Sequence, residues 1–157
     1  MIIEVEQLVF DFLTEKLKDK KVTVYHGLLP EINHEDREEG KSEKDLFPFA
    51  ILRVTKFEQT RNGIDNYDVP VDLEVWIGTK MEDEKDYLSN LSIGDFLKKE
   101  FLNESTVDGK FAVDQSYPFS IEYFTAEAEP YFYSVCRFRV FGVPITKIGR
   151  ASCRERV

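Results

Sequence analysis

The histidines are the first side chains of this chain that could hold a metal ion. His26 and His34 are the only two, and their spacing differs from HExxH, in which two histidines one helical turn apart bind zinc. His34 stands beside Glu35 and Asp36, where it could hold a cation weakly, but a solvated polar loop accounts for the same residues. The sequence therefore predicts no metal site and no cofactor.

A second group of oxygen ligands lies in the stretch DNYDVPVD, which offers Asp65, Asn66, Asp68 and Asp72. An EF-hand loop needs glycine at its sixth position and glutamate at its twelfth. Neither residue falls in place, so the stretch does not predict a calcium site. The chain also contains no GxxxxGK[ST] and no GxGxxG pattern, so no phosphate-binding loop for a nucleotide is visible.

Nucleophilic and carboxylate catalysis are the remaining chemical possibilities. Cys136 would need a histidine base within reach, and its place in an apolar alternating stretch favours a small core side chain instead. Glu122, Glu127 and Glu129 could pair as the two carboxylates of a glycosidase. Carboxylates are abundant in an acidic chain, however, and no aromatic subsite pattern singles these three out. We predict that the chain is not an enzyme.

Composition favours one soluble domain with a core of its own. Of the 157 residues, 42% are hydrophobic, with 13 Phe and 7 Tyr, which excludes wholesale disorder. The chain has no apolar run of the roughly 18 residues that a membrane helix needs, and its first residues lack the basic start of a signal peptide. The net charge of −9 argues against a general nucleic-acid binder, because phosphate contacts need clustered Lys and Arg.

The last ten residues, Ile148–Val157, have neither the periodicity nor the turn residues of the chain before them. Their sequence, IGRASCRERV, resembles the translation, in one reading frame, of a widely used sequencing-adapter oligonucleotide. We expect residues 1–147 to form a single domain and residues 148–157 to be a non-native tail, with a genuine flexible basic tail as the alternative. The tail holds three of the 21 basic and one of the 30 acidic residues, so its removal leaves 18 against 29, a net charge of −11.

Two stretches of the chain have helical periodicity. The first predicts an amphipathic helix over residues 2–18, because its apolar residues recur three and four positions apart. The second, over residues 81–105, has acids in its first turn and Gly94 in its middle, where we expect a bend or a close contact. The first stripe is Val5, Leu8, Val9, Phe12, Leu13 and Leu17, and the second is Tyr87, Leu88, Leu91, Phe96, Leu97 and Phe101.

Alternating apolar residues predict about six strands around these helices. The strand sequences are VTVYHG, FPFAILRVTKFEQT, YDVPVDLEVWIGT, KFAVDQ, PFSIEYF and PYFYSVCRFRVFGV. Asn62 and Gly63 predict a hairpin after the second strand, whereas the polar, acid-rich residues 28–46 predict an unusually long exposed loop. The order of elements predicts an α+β fold, with a single largely antiparallel or mixed sheet and two packed helices.

Aromatic residues crowd the last two predicted strands. Alternation places Cys136, Phe138 and Val140 on the inner face of the last strand. The other face then carries Tyr131, Tyr133, Arg137, Arg139 and Phe141. Tyrosine and arginine are enriched at protein–protein hot spots, so this second face is a candidate interface. Helices that cover both faces of the sheet are the alternative, and the sequence leaves the two open.

Three stretches together resemble the tail terminator, or tail-completion, proteins of long-tailed bacteriophages. They are FPFAILRV, VPVDLEVWIGT with the acid-led KMEDEKDYLSNL, and EYFTAEAEPYFYSVCRFRVFGVP. The similarity covers residues 47–145, with the N-terminal helix also in register. It consists of patterns rather than a catalytic signature: a Pro-aromatic strand, a strand that ends in Ile-Gly-Thr, an acidic helix start and an aromatic-Pro-Tyr hairpin. The long loop and Gly94 depart from the family pattern.

The resemblance implies a structural role in the virion. Such proteins form rings, commonly hexamers, at the head-proximal end of the tail tube, where they end tube polymerisation and meet the head connector. The implied partners are other copies of this chain, the tail-tube protein and the head-connector protein, with DNA only as passing cargo and no membrane. Assembly would take place in the bacterial cytoplasm. The candidate assembly residues are Arg61, Asn62, Gly63, Tyr131, Tyr133, Arg137 and Arg139, with the loop 28–46 as a further candidate contact.

Two other functions remain open at the level of the sequence. Another neck or head-completion protein of the virion would share the acidity and the self-association. An unrelated small acidic enzyme or binding module would instead present a concave pocket with converging polar groups.

Overall fold

The computed structural model describes residues 2–30, 35, 38–40, 46–58, 60–61, 67–68, 70–80, 84–103, 106–107, 111–124 and 131–142. Two α-helices lie in these residues, α1 (Ile2–Leu17) and α2 (Glu84–Asn103). The strands are β1 (Thr23–His26), β2 (Phe49–Phe57), β3 (Thr60–Arg61), β4 (Tyr67–Asp68), β5 (Pro70–Lys80), β6 (Thr106–Val107), β7 (Phe111–Val113), β8 (Ser120–Phe124) and β9 (Tyr131–Gly142).

Helix α1 forms where the apolar spacing predicts it. Five of the six stripe residues are buried and Leu8 is half-buried, as expected for a helix with one face on a core. The 3-10 turn Lys18–Lys20 follows, and Lys21 takes a left-handed conformation with φ of 59°. Its backbone N–H donates to the Lys18 carbonyl at 3.1 Å. This closure turns the chain back along the sheet into β1.

Seven strands of the described residues form one mixed sheet in the order β1-β2-β5-β9-β7-β6, with β8 as a further partner of β9. Strand β1 runs parallel to β2, while the other pairings of this sheet are antiparallel. The sheet curves into a half-barrel that carries two helices. The prediction of an α+β fold with one sheet is therefore confirmed.

Strands β7 and β8 lie end to end along one edge of β9. Val113 pairs with Val140, and Ser120 pairs with Arg137. The N–H of Asp114 still donates to the Arg139 carbonyl at 2.9 Å, so the chain leaves the edge after this residue. Asp114 shapes this excursion, since its carboxylate accepts hydrogen bonds from the Ser116 N–H at 3.0 Å and hydroxyl at 2.6 Å. The interruption leaves β8 as a separate short strand at the border of the sheet.

Both helices pack on the same face of the sheet. Buried residues of α1 and α2 join the inward side chains of β1, β2, β5 and β9 in one hydrophobic core. The two helices also touch each other, since the rings of Phe12 and Phe101 are 4.9 Å apart and Lys16 pairs with Glu100 at 3.2 Å. Within the described part of the chain, the alternative in which helices cover both faces is therefore wrong.

The buried side of α2 differs from the predicted apolar stripe. Asn90, Ile93, Leu97 and Phe101 face the sheet, whereas Tyr87 and Leu88 are 38% and 53% exposed. The prediction considered apolar residues only, whereas the first buried residue of this face is Asn90, whose side chain ends in an amide. The inward face is therefore rotated relative to the predicted stripe over the first turns.

Asn90 binds α2 to two strands through a buried polar network. Its side-chain N–H groups donate to the Thr79 hydroxyl at 2.9 Å and the Phe132 carbonyl at 3.2 Å. Its side-chain oxygen Oδ1 accepts a hydrogen bond from the Ser134 hydroxyl at 2.9 Å. Because buried polar groups are costly unless paired, this network holds the helix at one position over β5 and β9.

Gly94 provides a close contact rather than a bend. Helix α2 is continuous through it, and a Cβ atom there would lie 3.3 Å from Cδ1 of Ile121. The missing side chain lets α2 approach β8 closely, which is one of the two outcomes that the sequence predicts.

The predicted hairpin is flanked by a short ladder. Thr60 pairs with Asp68 and Arg61 with Tyr67, both antiparallel, so the chain reverses between them. Asn62 and Gly63 themselves lie outside the described residues, as do most of the predicted loop 28–46 and the whole of Ile148–Val157. Pro70 is the first residue of β5, a position that tolerates proline because no ladder N–H is needed there.

Candidate assembly surface

The sheet face opposite the helices, called the open face below, carries the candidate residues on β9. Strict alternation places Val71, Leu73, Val75 and Ile77 toward the helices, and they are buried. Of the intervening residues, Gly78 on β5 and Val135 on β9 are buried, and the others are half-buried. Among the described residues the open face includes Arg53, Asp72, Glu74, Trp76, Glu122, Phe124, Tyr131, Tyr133, Arg137 and Arg139.

One half of the open face is charged and internally paired. Arg139 donates to both carboxylate oxygens of its cross-strand neighbour Asp72, at 2.6 and 3.2 Å. The guanidinium also lies 4.2 Å from the ring centre of Tyr117, a cation–π distance. The hydrogen bond to Asp72 raises the pKa of Arg139. Asp72 and Tyr117 together hold the guanidinium of Arg139 in one orientation.

Arg137 bridges two strands in the same half. Its guanidinium lies 2.9 Å from Glu122 on β8 and 3.5 Å from Glu74 on β5. The hydrogen bond to Glu122 is the largest cause that raises the pKa of Arg137. Glu74 also accepts from the indole N–H of Trp76 at 2.8 Å. Since 41% of the Arg137 side chain is exposed, the bridge is screened by water and is worth little for stability.

The other half of the open face is aromatic. Phe47 stacks on Tyr131 with ring centres 4.6 Å apart, and it also touches Phe49 at 4.9 Å. Tyr133 lies 6.1 and 6.3 Å from the same two phenylalanines. Burial raises the pKa of Tyr133. The ring of Phe49 fits here because Gly78 has no side chain. A Cβ atom on Gly78 would lie 2.3 Å from that ring.

Trp76 joins the two halves of the open face. Its ring stacks on Phe124 at 5.6 Å, with 11° between the planes. Arg53 lies 5.9 Å from the indole centre and donates to the Gly27 carbonyl at 2.6 Å. Phe124 is in turn the cross-strand partner of Tyr133, so aromatic residues of the open face lie on β2, β5, β8 and β9.

The β9 arginines of this face are paired with carboxylates, and the described hollows beside it are small. Arg137 and Arg139 are both occupied by carboxylates, so neither offers a free cation to phosphate. Two surface hollows flank the face, with volumes of about 130 Å³ at Lys56 and Asp72 and about 230 Å³ at Phe47 and Ser89. Both are smaller than the roughly 300 Å³ at which ligand pockets begin.

The structure brings together four of the seven candidate residues. Tyr131, Tyr133, Arg137 and Arg139 lie on one face of β9. Arg61 belongs to β3, which pairs only with β4 in a separate two-stranded sheet of the described residues. Asn62 and Gly63 lie outside the described residues.

The candidate interface predicted from the sequence lacks its partners on neighbouring strands. It did not include Asp72, Glu74 and Trp76 of β5. Their cross-strand register with Arg139, Arg137 and Val135 depends on strand pairing. The one available signal was the complementary charge order, Asp-x-Glu on one strand and Arg-x-Arg on the other.

Two of the residues considered for chemistry, His26 and Cys136, lie in the described part of the chain. His26 contacts Glu6 at 2.7 Å and stacks on Phe10 at 3.6 Å. Burial raises the pKa of the Cys136 thiol to about 12, which keeps it protonated. The described residues contain no group of three His, Cys, Asp or Glu side chains that could hold a metal ion. Asp65, Asn66, Glu127 and Glu129 lie outside the described residues, as does His34.

No protein-family model matches the chain, and no curated protein matches it significantly. Neither described helix is long and apolar enough to cross a lipid bilayer.

Proposed function

We propose that this chain is a structural protein of a bacteriophage virion, which caps the head-proximal end of the tail tube as a ring. In this role it ends tube polymerisation and links the tail to the head connector. The proposal starts from the resemblance of residues 47–145 to tail terminator proteins. It requires no catalytic residue and no cofactor.

The single observation that carries an assembly role is the open face. Both described helices lie on the opposite side of the sheet, so neither of them covers Trp76, Tyr131 and Tyr133. Rigid aromatic side chains next to oriented arginines are the composition of protein–protein hot spots. An interface of this kind is what a capping ring needs toward its tube.

The charge of the chain supports the same role. A net charge of −9 disfavours tight contacts with phosphate, since these require clustered cations. If the acids line the channel of the ring, DNA passes without sticking to the wall. A map of the acids onto the outer rim of an assembled ring would contradict this part of the proposal.

The proposal is tested by polymerisation of the tail-tube protein from the same genome in the presence of the full chain. We expect the chain to bind tube ends and to shorten the tubes, as measured by electron microscopy. Light scattering coupled to size exclusion measures the stoichiometry at the tube end. Tubes that grow to the same length with and without the chain would overturn the proposal.

The open face is tested with Tyr131→Ser, which removes an aromatic ring without a change of charge. We expect this variant to stay folded by circular dichroism and to lose most of its effect on tube length. The matched control is Lys98→Ser on the exposed side of α2, which should cap tubes as the unmodified chain does. Equal loss of capping in both variants would remove the open face as the tube contact.

A further inference from the structure

Exposed apolar side chains gather at two opposite ends of the sheet. In the described part of the chain, the exposed large apolar residues are Ile2, Ile3, Leu28, Tyr87, Leu88, Tyr123 and Phe124. Leu28 lies two residues after His26, the last residue of β1. Ile2 and Ile3 lie one turn before Glu6, whose carboxylate touches His26 of β1 at 2.7 Å. These three residues therefore mark the β1 end of the sheet.

The other four exposed residues mark the β8 end. Tyr123 and Phe124 belong to β8 itself. Tyr87 stacks on Phe132 at 5.2 Å, and Tyr123 meets the same ring edge-on at 6.1 Å. Leu88 is the next residue of α2 and is 53% exposed. One molecule thus presents an apolar strip along each border of its sheet.

Each of these borders is also an edge strand with a free side. Among the described strands, β1 pairs only with β2, and β8 pairs only with β9. The N–H groups of Thr23 and Gly27 donate inward, to Pro48 and Leu52 at 3.5 and 2.9 Å. Since the N–H groups of successive residues point to opposite sides of a strand, the N–H groups of Val24 and His26 point to the outer side of β1. Such edges pair readily with another strand.

The two edges are complementary in direction and length. Strand β2 runs in the same direction as β1. Strand β5 runs opposite to β2, β9 runs opposite to β5, and β8 runs opposite to β9. Strand β8 therefore runs opposite to β1. If a second copy continues the sheet with its helices on the same side, β8 meets the neighbour's β1 antiparallel. The strands have five and four residues, so their backbone groups match over almost their whole length.

We propose that a second copy of this chain pairs the outer edge of its β1 with the outer edge of β8, head to tail. The contact extends the sheet from one copy to the next and covers the apolar strip at each junction. Because the surface is heterologous, repetition gives a closed ring or an open chain. The inference rests on the proposed assembly role, and it names the surface through which copies contact each other.

The alternative pairing of β8 with β8 of a second copy is disfavoured by charge. When two β8 strands overlap fully and antiparallel, Glu122 lies directly opposite Glu122 of the other copy, and like charges in that position destabilise a sheet. Strand β1 carries no carboxylate. Pairing of β8 with β1 therefore avoids this repulsion in every register.

The test uses two variants of the full chain that each block one edge with lysine, a residue that protects natural edge strands. Tyr123→Lys with Phe124→Lys blocks β8, and Thr23→Lys with Leu28→Lys blocks the β1 end. All four positions are exposed, so the fold should persist. Thr14→Lys with Ser92→Lys adds the same charge at exposed helix positions and is the matched control.

Light scattering with size exclusion measures the oligomeric state of each sample. We expect oligomers for the unmodified chain and the control, and monomers for each blocked variant alone. An equal mixture of the two blocked variants should form a one-to-one dimer, because each supplies the edge that the other lacks. A blocked variant that remains oligomeric alone, a mixture that stays monomeric, or an unmodified chain that is monomeric at its solubility limit would each overturn the inference.

The result is separable from the tube assay. If the edges fail to pair but the chain still caps tubes, the inference falls and the proposed function stands. If the mixture dimerises but the unmodified chain neither binds tube ends nor shortens the tubes, self-association stands and the proposed function falls.

Discussion

Single residues explain the Ile-Gly-Thr pattern at the end of β5. Ile77 is buried in the core. Gly78 leaves room for the ring of Phe49, and the hydroxyl of Thr79 accepts a hydrogen bond from Asn90. The three neighbours therefore serve three different contacts: the core, the aromatic cluster and the helix α2.

Replacement of Gly78 by alanine should destabilise the protein by about 1–3 kcal/mol, the usual range for overpacking in a buried site. The added Cβ would lie 2.3 Å from the ring of Phe49, so the ring must move. Urea unfolding measures the loss. In a Phe49→Leu background the same substitution should cost less, because the clashing ring atoms are absent. Equal losses in both backgrounds would show that the two residues do not interact.

The thiol of Cys136 gives a pH dependence with a definite sign. Burial raises its pKa from 9.0 to about 12 in the folded state. The folded chain therefore keeps the proton at pH values where the unfolded chain loses it. This contribution to stability is complete below pH 9 and is lost as the pH rises toward 12.

We expect the free energy of unfolding to fall by up to about 1.4 kcal/mol per pH unit above 9 through this one group. Denaturant titrations at several pH values measure how steeply the free energy of unfolding falls with pH. Cys136→Ala should reduce this slope by the contribution of one proton, about 1.4 kcal/mol per pH unit. Tyr123 and Tyr133, whose pKa values are also raised by burial, remain in both proteins. An identical slope in the variant would contradict the assignment.

At the scale of elements, α2 is held by a polar network as well as by apolar packing. Asn90 is fully buried and bonded to Thr79, Phe132 and Ser134. This network explains why the helix has a weak apolar stripe and still packs tightly. Gly94 adds a close approach to Ile121 on β8, so α2 is fixed at two points along its length.

Asn90→Ala should reduce the free energy of unfolding by about 1–3 kcal/mol, because it leaves buried hydrogen-bonding groups without a partner. Thermal and urea unfolding both measure this change. Ser92→Ala, at an exposed position of the same helix, is the control and should stay within about 0.5 kcal/mol of the unmodified chain. A loss of the same size in the control would indicate a general effect of helix substitutions.

At the scale of the whole molecule, the sheet has one face covered by the described helices, one open face, and edge strands that include β1 and β8. In the proposed assembly, the open face would meet a different protein through its aromatic and arginine side chains. The β1 and β8 edges would meet copies of the same chain. Both kinds of contact could then form at the same time, because they use different parts of the sheet.

Lateral association should make the melting temperature depend on protein concentration. Binding of folded copies stabilises the folded state by mass action, so the melting temperature of the unmodified chain should rise on concentration. Differential scanning calorimetry over a dilution series measures this shift. In the Tyr123→Lys, Phe124→Lys variant the melting temperature should be independent of concentration. A concentration dependence that survives in this variant would place the contact elsewhere.

The sequence by itself determined the elements and the inward side of most of them. Spacing of apolar residues located α1 and the strands, since periods of 3.6 and 2.0 follow from local backbone geometry. The outward arginines on β9 were predicted for the same reason. The Asn-Gly signal located the reversal between β3 and β4.

Only the tertiary structure decided which elements lie beside each other. Asp72 and Arg139 are far apart in the chain, and the register of β5 on β9 brings them to 2.6 Å. The buried face of α2 depends on Asn90, whose amide is acceptable inside only because Thr79 and Ser134 meet it there. The sequence likewise did not determine that both described helices lie on one face. Alternation along a strand distinguishes its two faces but does not indicate which element packs on each. Such contacts depend on pairings between distant segments, and local periodicity contains no information about them.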